Sequence, residues 1–206
     1  MRRRGLIALL PATLVACSAL PKKPANQVMY DFGPTPAAGP DARGEHPALT
    51  LPDVEAEGLL ETTALLYRLG YEDAFELRPY AYARWSAPPT RLVHQRLRDV
   101  LGRQRAVLDN SGAAALVRSS AQRPPLLRVH LDDLFQLFDA PDKSRGIARL
   151  SCTLLQANGG GDRLLGQRRF ETERPAPTAD APGGVRALSA AVDAAAEDIA
   201  RWLQQA

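Results

Sequence analysis

The sequence predicts a single α+β domain, and three observations carry that prediction. From Leu126 the chain alternates, with Leu127, Val129 and Leu131 on one face and Arg128, His130 and Asp132 on the other. Two further strand-like segments, 147–156 and 163–173, flank Asn158-Gly159-Gly160-Gly161-Asp162 and read as a hairpin. Val185, Leu188, Val192, Ala195, Ile199 and Trp202 then recur at steps of three and four, the spacing of an amphipathic helix. No internal repeat and no long linker divides the chain, so strands and helices share one core.

The amino terminus is read separately from that core. Arg2, Arg3 and Arg4 precede an uncharged, mostly apolar run over 5–16, the layout of a secretory signal. That run contains Pro11 and falls short of the roughly 20 residues that a membrane span needs. Leu14-Val15-Ala16-Cys17 is similar to a bacterial lipobox, in which the cysteine receives a diacylglycerol, the chain is cut before it and the new amine is acylated. The expected organisation is a removed signal peptide over 1–16, a lipidated tether over 17–26 and the domain over 27–206. The tether holds Pro21 and Pro24 and is not helical.

Loss of residues 1–16 removes three arginines, leaving 23 basic side chains against 23 acidic ones. The mature chain is formally neutral, which argues against nucleic acid as a partner. Lysine is confined to Lys22, Lys23 and Lys143, and the abundant arginines are scattered among acids. With Cys17 lipidated, no disulfide is expected, and Cys152 reads as a small buried hydrophobe.

Within the domain, alternation of Val28, Tyr30 and Phe32 marks a first strand over 27–33, followed by a proline-rich loop over 34–47. Segments 48–55 and 62–69 read as strands joined around Glu57-Gly58. Segment 78–86 places Tyr80, Tyr82 and Arg84 on one side and Ala81, Ala83 and Trp85 on the other. Pro88-Pro89 end that strand and suit a helix first turn. The helix over 89–101 lines up Val93, Leu97, Val100 and Leu101, and Gly102 closes it. Segment 105–108 is a short strand; 111–119 fits helix or strand equally. At Asp132-Asp133 the alternation slips, and a bulge there returns Leu134 or Phe135 to the core. In the last helix Glu197 and Arg201 are spaced as an i,i+4 ion pair.

No constellation for catalysis is visible. His46, His94 and His130 are far apart and do not show metal-ligand spacing. Ser111 lies in a turn without a Gly-x-Ser-x-Gly elbow. The glycines at 159–161 lack the Gly-Lys-Ser/Thr ending of a phosphate loop. Asp132 and Asp133 are strand neighbours and point to opposite faces, which separates their carboxyls. The expectation is no catalytic residue, no metal and no cofactor.

The order of these elements resembles the ABC-type transport auxiliary lipoproteins, the family of the Pqi-system lipoproteins. The resemblance rests on the lipobox at Cys17, on Tyr30-Asp31-Phe32, on Leu66-Tyr67-Arg68-Leu69-Gly70-Tyr71 continuing through Arg78 to Pro89, and on the closing hairpin and helix. Phe32 stands where the family often has leucine. The resemblance implies a mixed or antiparallel sheet with two or three helices packed on it, similar to the N-terminal domain of TolB. It also implies a non-catalytic periplasmic subunit working beside an MCE-domain protein, an ABC permease and an ATPase that move lipids between membranes. Phospholipid contact and a homo-oligomeric ring would suit that role. Tyr80, Tyr82, Arg84 and Trp85 are the candidate partner surface, since interfaces favour these residue types, with packing in the core as their alternative role. Ser18 in place of an aspartate points to the periplasmic face of the outer membrane. An unrelated outer-membrane assembly or TolB-like scaffold lipoprotein is the alternative reading, and gene neighbourhood separates the two.

Overall fold

Strand β6 (Leu126–Ala140) orders the sheet because it is paired along both of its edges. On one side it runs antiparallel to β7 (Lys143–Asn158), which pairs antiparallel with β8 (Gly161–Pro175). On the other side three separate segments lie parallel to it. They are β2 (Leu49–Thr50) beside Leu126, an isolated bridge from Glu55 to His130, and β3 (Ala64–Leu69) beside Gln136 to Phe138. β3 pairs antiparallel with β4 (Arg78–Trp85), whose far side carries β1 (Val28–Tyr30) in parallel. The short β5 (Val107–Leu108) adds to β2. This computed structural model describes residues 26–34, 46–119, 123–158 and 161–205, and among them the sheet is mixed and eight-stranded. Cys17 and the signal lie outside the described residues, as do most of the proline-rich loop and the centre of the triple glycine.

Helix α1 (Pro89–Leu101) has the predicted limits, with proline at its first turn and Val93, Leu97, Val100 and Leu101 buried. The ambiguous segment 111–119 is helical, as α2 (Asn110–Ser119). Asp109 accepts from the Gly112 amide at 2.6 Å, which satisfies a free donor of the first turn and tips the segment to helix. The last helix, α3 (Ala181–Trp202), starts four residues before the predicted apolar stripe. Asp180 caps it by accepting from the Gly183 amide at 2.8 Å.

α3 lies across β7, β8 and part of β6, and α1 packs against α3. The α3 face against the sheet is largely alanine (Ala187, Ala191, Ala195 and Ala196), with Leu188, Val192 and Ile199 between them. Such a smooth face lets the helix approach the sheet closely. At Gly146 of β7 the approach is tightest: a Cβ there would lie 2.6 Å from the Ala187 carbonyl carbon.

Several expectations change. The strand over 48–55 is broken into β2 and the Glu55 bridge, because Pro52 lies between them and has no amide to donate to β6. The Glu197–Arg201 pair does not form. Glu197 takes Arg103 at 3.0 Å, and Arg201 turns to Asp198, because packing of α1 on α3 brings the turn after α1 within reach. The bulge is where the alternation slips: the register shifts between Leu131 and Asp133. Both Leu134 and Phe135 become buried, one on each face of the continued strand.

Candidate functional site

β4 holds all four predicted partner residues, and a register slip divides them. Ala64 of β3 faces Arg84, yet Leu66 faces Pro79, so β4 gains residues relative to β3 between those pairs. The strict alternation read from the sequence is lost there. Trp85 is 1% exposed, with its ring edge-on to Phe32 at 5.2 Å. Its place is in the core, the alternative the alternating alanines had suggested.

Tyr80 is half-buried. Its ring lies 4.5 Å from that of Tyr67, and its hydroxyl donates to Gln136 Oε1 at 2.9 Å. The Gln136 amide nitrogen donates in turn to Ser144 Oγ at 2.8 Å and to the Asp180 carbonyl at 3.2 Å. Burial pushes the Tyr80 hydroxyl above its usual pKa, and the negative charge on nearby groups adds to the effect. Tyr80 therefore remains a neutral donor that ties β4, β6, β7 and the start of α3 together.

Tyr82 and Arg84 remain at the surface, Tyr82 at 63% exposure. Met29 of β1 is opposite Arg84 and exposed as well. Partner residues in adjacent strands share a face, so Met29, Tyr82 and Arg84 form one surface at the outer margin of the sheet. Nothing local in the sequence marks Met29, because its neighbourhood is set by the parallel pairing of two distant segments.

The sheet face away from α3 carries a lattice of charges. Arg149 bridges Asp133 at 2.9 Å and Glu171 at 2.7 Å, and Arg145 reaches Glu173 at 3.1 Å. Asp132 accepts from Ser151 Oγ at 2.6 Å and lies 2.9 Å from His130 Nδ1 and 3.3 Å from Arg169. Partial burial would raise the Asp132 pKa, but the bonds from Ser151 and His130 and the charge of Arg169 outweigh it. The carboxyl is thus held below its usual range. Ser151, His130 and Asp132 do not form a catalytic relay, since the serine proton points to the carboxylate rather than to the imidazole. Asp132 and Asp133 do not point to opposite faces as the strand alternation predicts: the bulge between Leu131 and Asp133 brings both carboxyls to this face, where they take different partners.

Ser111 donates to Asp109 at 2.7 Å in the cap of α2. Beside α1, Asp53, Arg91, His94 and Gln95 line an open polar groove. Among the described residues no three His, Cys, Asp or Glu side chains converge to hold a metal ion. No described helix is long and apolar enough to cross a membrane.

Cys152 faces α3 in the buried layer, and burial, with the charge of Asp132, pushes its thiol up to about 12. Native protein therefore leaves this thiol unmodified by maleimides at mildly alkaline pH, while denatured protein is modified at once; mass spectrometry reads the difference. Rapid labelling of the folded protein would contradict the packing.

A family model described as "ABC-type transport auxiliary lipoprotein component" matches residues 30–200. Among curated proteins, none matches the sequence. Among solved structures, the protein XCC0632 of Xanthomonas campestris, assigned to DUF330, is similar in fold. It has a TM-score of 0.63 at 16% identity, over 77% of this chain and 85% of its own. A second structure, of an uncharacterized protein, gives a TM-score of 0.60 at 14% identity, over 86% of this chain and 99% of its own.

Proposed function

The chain belongs to the ABC-type transport auxiliary lipoproteins, and from that premise we propose that it is a non-catalytic, lipid-anchored periplasmic subunit that docks an MCE assembly at a membrane. The family makes it an accessory of an ABC-type transport system. The observation that carries the finer reading is the lipobox ending at Cys17 directly before a domain of this family. ATP hydrolysis then belongs to a partner ATPase and translocation to a permease. Ser18 supports the outer membrane as the address.

Docking uses the Met29, Tyr82 and Arg84 surface at the sheet margin, where an exposed aromatic and an arginine stand side by side. Truncating either Tyr82 or Arg84 to alanine costs about 1–2 kcal/mol of binding, roughly tenfold in affinity. Trp85 acts from the interior by holding the strand that presents them.

The test is co-purification with MCE proteins after mild detergent solubilisation. Wild-type protein retains the MCE component, and Tyr82→Ala with Arg84→Ala releases it without unfolding. Cys17→Ser leaves the membrane fraction. Repeated failure of correctly lipidated protein to bring down any MCE protein would refute the docking role. A Cys17→Ser variant still bound at wild-type levels would refute the anchor.

A further inference from the structure

The end of the domain toward which Gln27 and Asn26 point also bears Phe75, the most exposed large hydrophobic side chain among the described residues. β1 runs parallel to β4 with Val28 opposite Ala83, and the Gln27 side-chain Nε2 donates to the Ala81 carbonyl at 3.3 Å. Read from Val28 back to Asn26, the chain therefore points toward the end of β4 that begins at Arg78, next to the loop 70–77. In that loop Phe75 is 95% exposed and Tyr71 is exposed beside it in sequence.

The loop is held in place by its own backbone. The Glu72 and Asp73 amides donate to the Leu69 carbonyl at 3.0 and 2.9 Å, and the Phe75 amide donates to Asp73 Oδ1 at 2.8 Å. Arg78 pairs with Glu72 and Glu76 across its base. The Phe75 ring, presented to water by an ordered turn, contributes nothing to this domain's own core and is open to an apolar surface outside it.

We propose that the 70–77 loop is a second membrane contact, with Phe75 and Tyr71 seated in the interfacial layer of the bilayer that holds Cys17. This rests on the anchor reading given above. Ten residues separate Cys17 from Gln27, a span of at most about 35 Å. Returning along β4 from Ala83 to Arg78 uses about 17 Å of it. The anchored surface therefore lies within reach of the loop. Aromatic rings favour the water–lipid boundary, where an apolar body and polar surroundings are both satisfied. Glu72, Asp73 and Glu76 outnumber Arg78, so the preferred surface is zwitterionic rather than anionic. Two attachments, one covalent and one through the loop, would fix how the domain is oriented on the membrane.

The experiment uses the full lipidated protein floated on vesicles of phosphatidylethanolamine with a minor phosphatidylglycerol fraction. With Cys17 acylated and Cys152 buried, Ala74→Cys supplies a single reactive thiol for an environment-sensitive fluorophore. Arg163→Cys, on β8 near the opposite end, is the control. Spin-labelled lipids quench most of the emission at 74 and little at 163, and Phe75→Ser in the Ala74→Cys protein abolishes the quenching. Raising the phosphatidylglycerol fraction weakens it. Floated protein whose label at 74 is as unquenched as the one at 163 would overturn the loop contact and leave the anchor standing. Protein that does not float at all would overturn the anchor.

Discussion

Gly146→Val destabilises the domain by about 3 kcal/mol or more, a fall in Tm of roughly 6–12 °C for a domain of this size. A Cβ at 146 would meet the Ala187 carbonyl carbon and the Leu188 nitrogen at 2.6 Å and the Ala187 oxygen at 2.9 Å. All three are backbone atoms of α3, so no side chain can turn aside. The whole helix must lift, which opens the layer formed by Ala191, Ala195 and Leu150. Gly184→Ala makes an instructive contrast. Its Cβ would lie 1.9 Å from Gln136 Oε1, the far end of a side chain. Adding Gln136→Ser relieves that clash and recovers part of the loss, whereas no single side-chain truncation rescues Gly146→Val. Urea unfolding of the four proteins reads both effects, and wild-type stability for Gly146→Val would contradict the close packing of α3 on β7.

Arg96→Met costs about 3 kcal/mol, because it takes the nearer of two counter-charges from a partly buried carboxylate. Arg96 is 3% exposed on the buried side of α1, and its Nη1 lies 3.1 Å from Asp193 Oδ1 of α3. Its Nη2 donates to the carbonyls of Phe32 at 2.7 Å and Gly33 at 3.2 Å. One guanidinium thus joins both helices to the segment just after β1. Burial raises the Asp193 pKa, against the opposing charges of Arg96 and Arg103. A carboxyl raised in the folded state destabilises it while ionised, and that penalty fades as pH falls through the folded pKa. Loss of Arg96 raises this pKa further. The deficit of Arg96→Met relative to wild type is therefore full at neutral pH and shrinks in mild acid. Adding Asp193→Leu removes the carboxylate and recovers much of the stability. A deficit that is the same at both pH values would rule out Asp193 as its source.

Comparing sequence with structure, the elements read correctly are those whose signals are local. Pro88 and Pro89 mark the start of α1 because ring geometry acts on the residue itself, and Gly102 follows its last residue. The stripe from Val185 to Ile199 marks α3 because one turn of helix brings such residues to one face. The slip at Asp132 is legible as a broken alternation. Arg96 was not legible as a core residue, since an arginine beside Val93 and Leu97 looks like a helix margin until α3 supplies Asp193. Nor did the segment around Gly146 read as strand. β7 begins at Lys143 rather than near Ile147, and its early polar residues are held there by pairing with β6.

The same division runs through the functional residues. The proposed anchor at Cys17 rests on the sequence alone, because a lipobox is a short local peptide; the class of the domain was legible there too, because an α+β pattern is a sum of local periods. What β4 shows to a partner was decided by tertiary structure. Trp85 and Ala83 keep the side that alternation gives them, while across the register slip against β3 Tyr80 is tied to Gln136, and Tyr82 and Arg84 are left beside Met29. Exposure depends on what the neighbouring strands and helices already cover, and those neighbours come from distant parts of the chain.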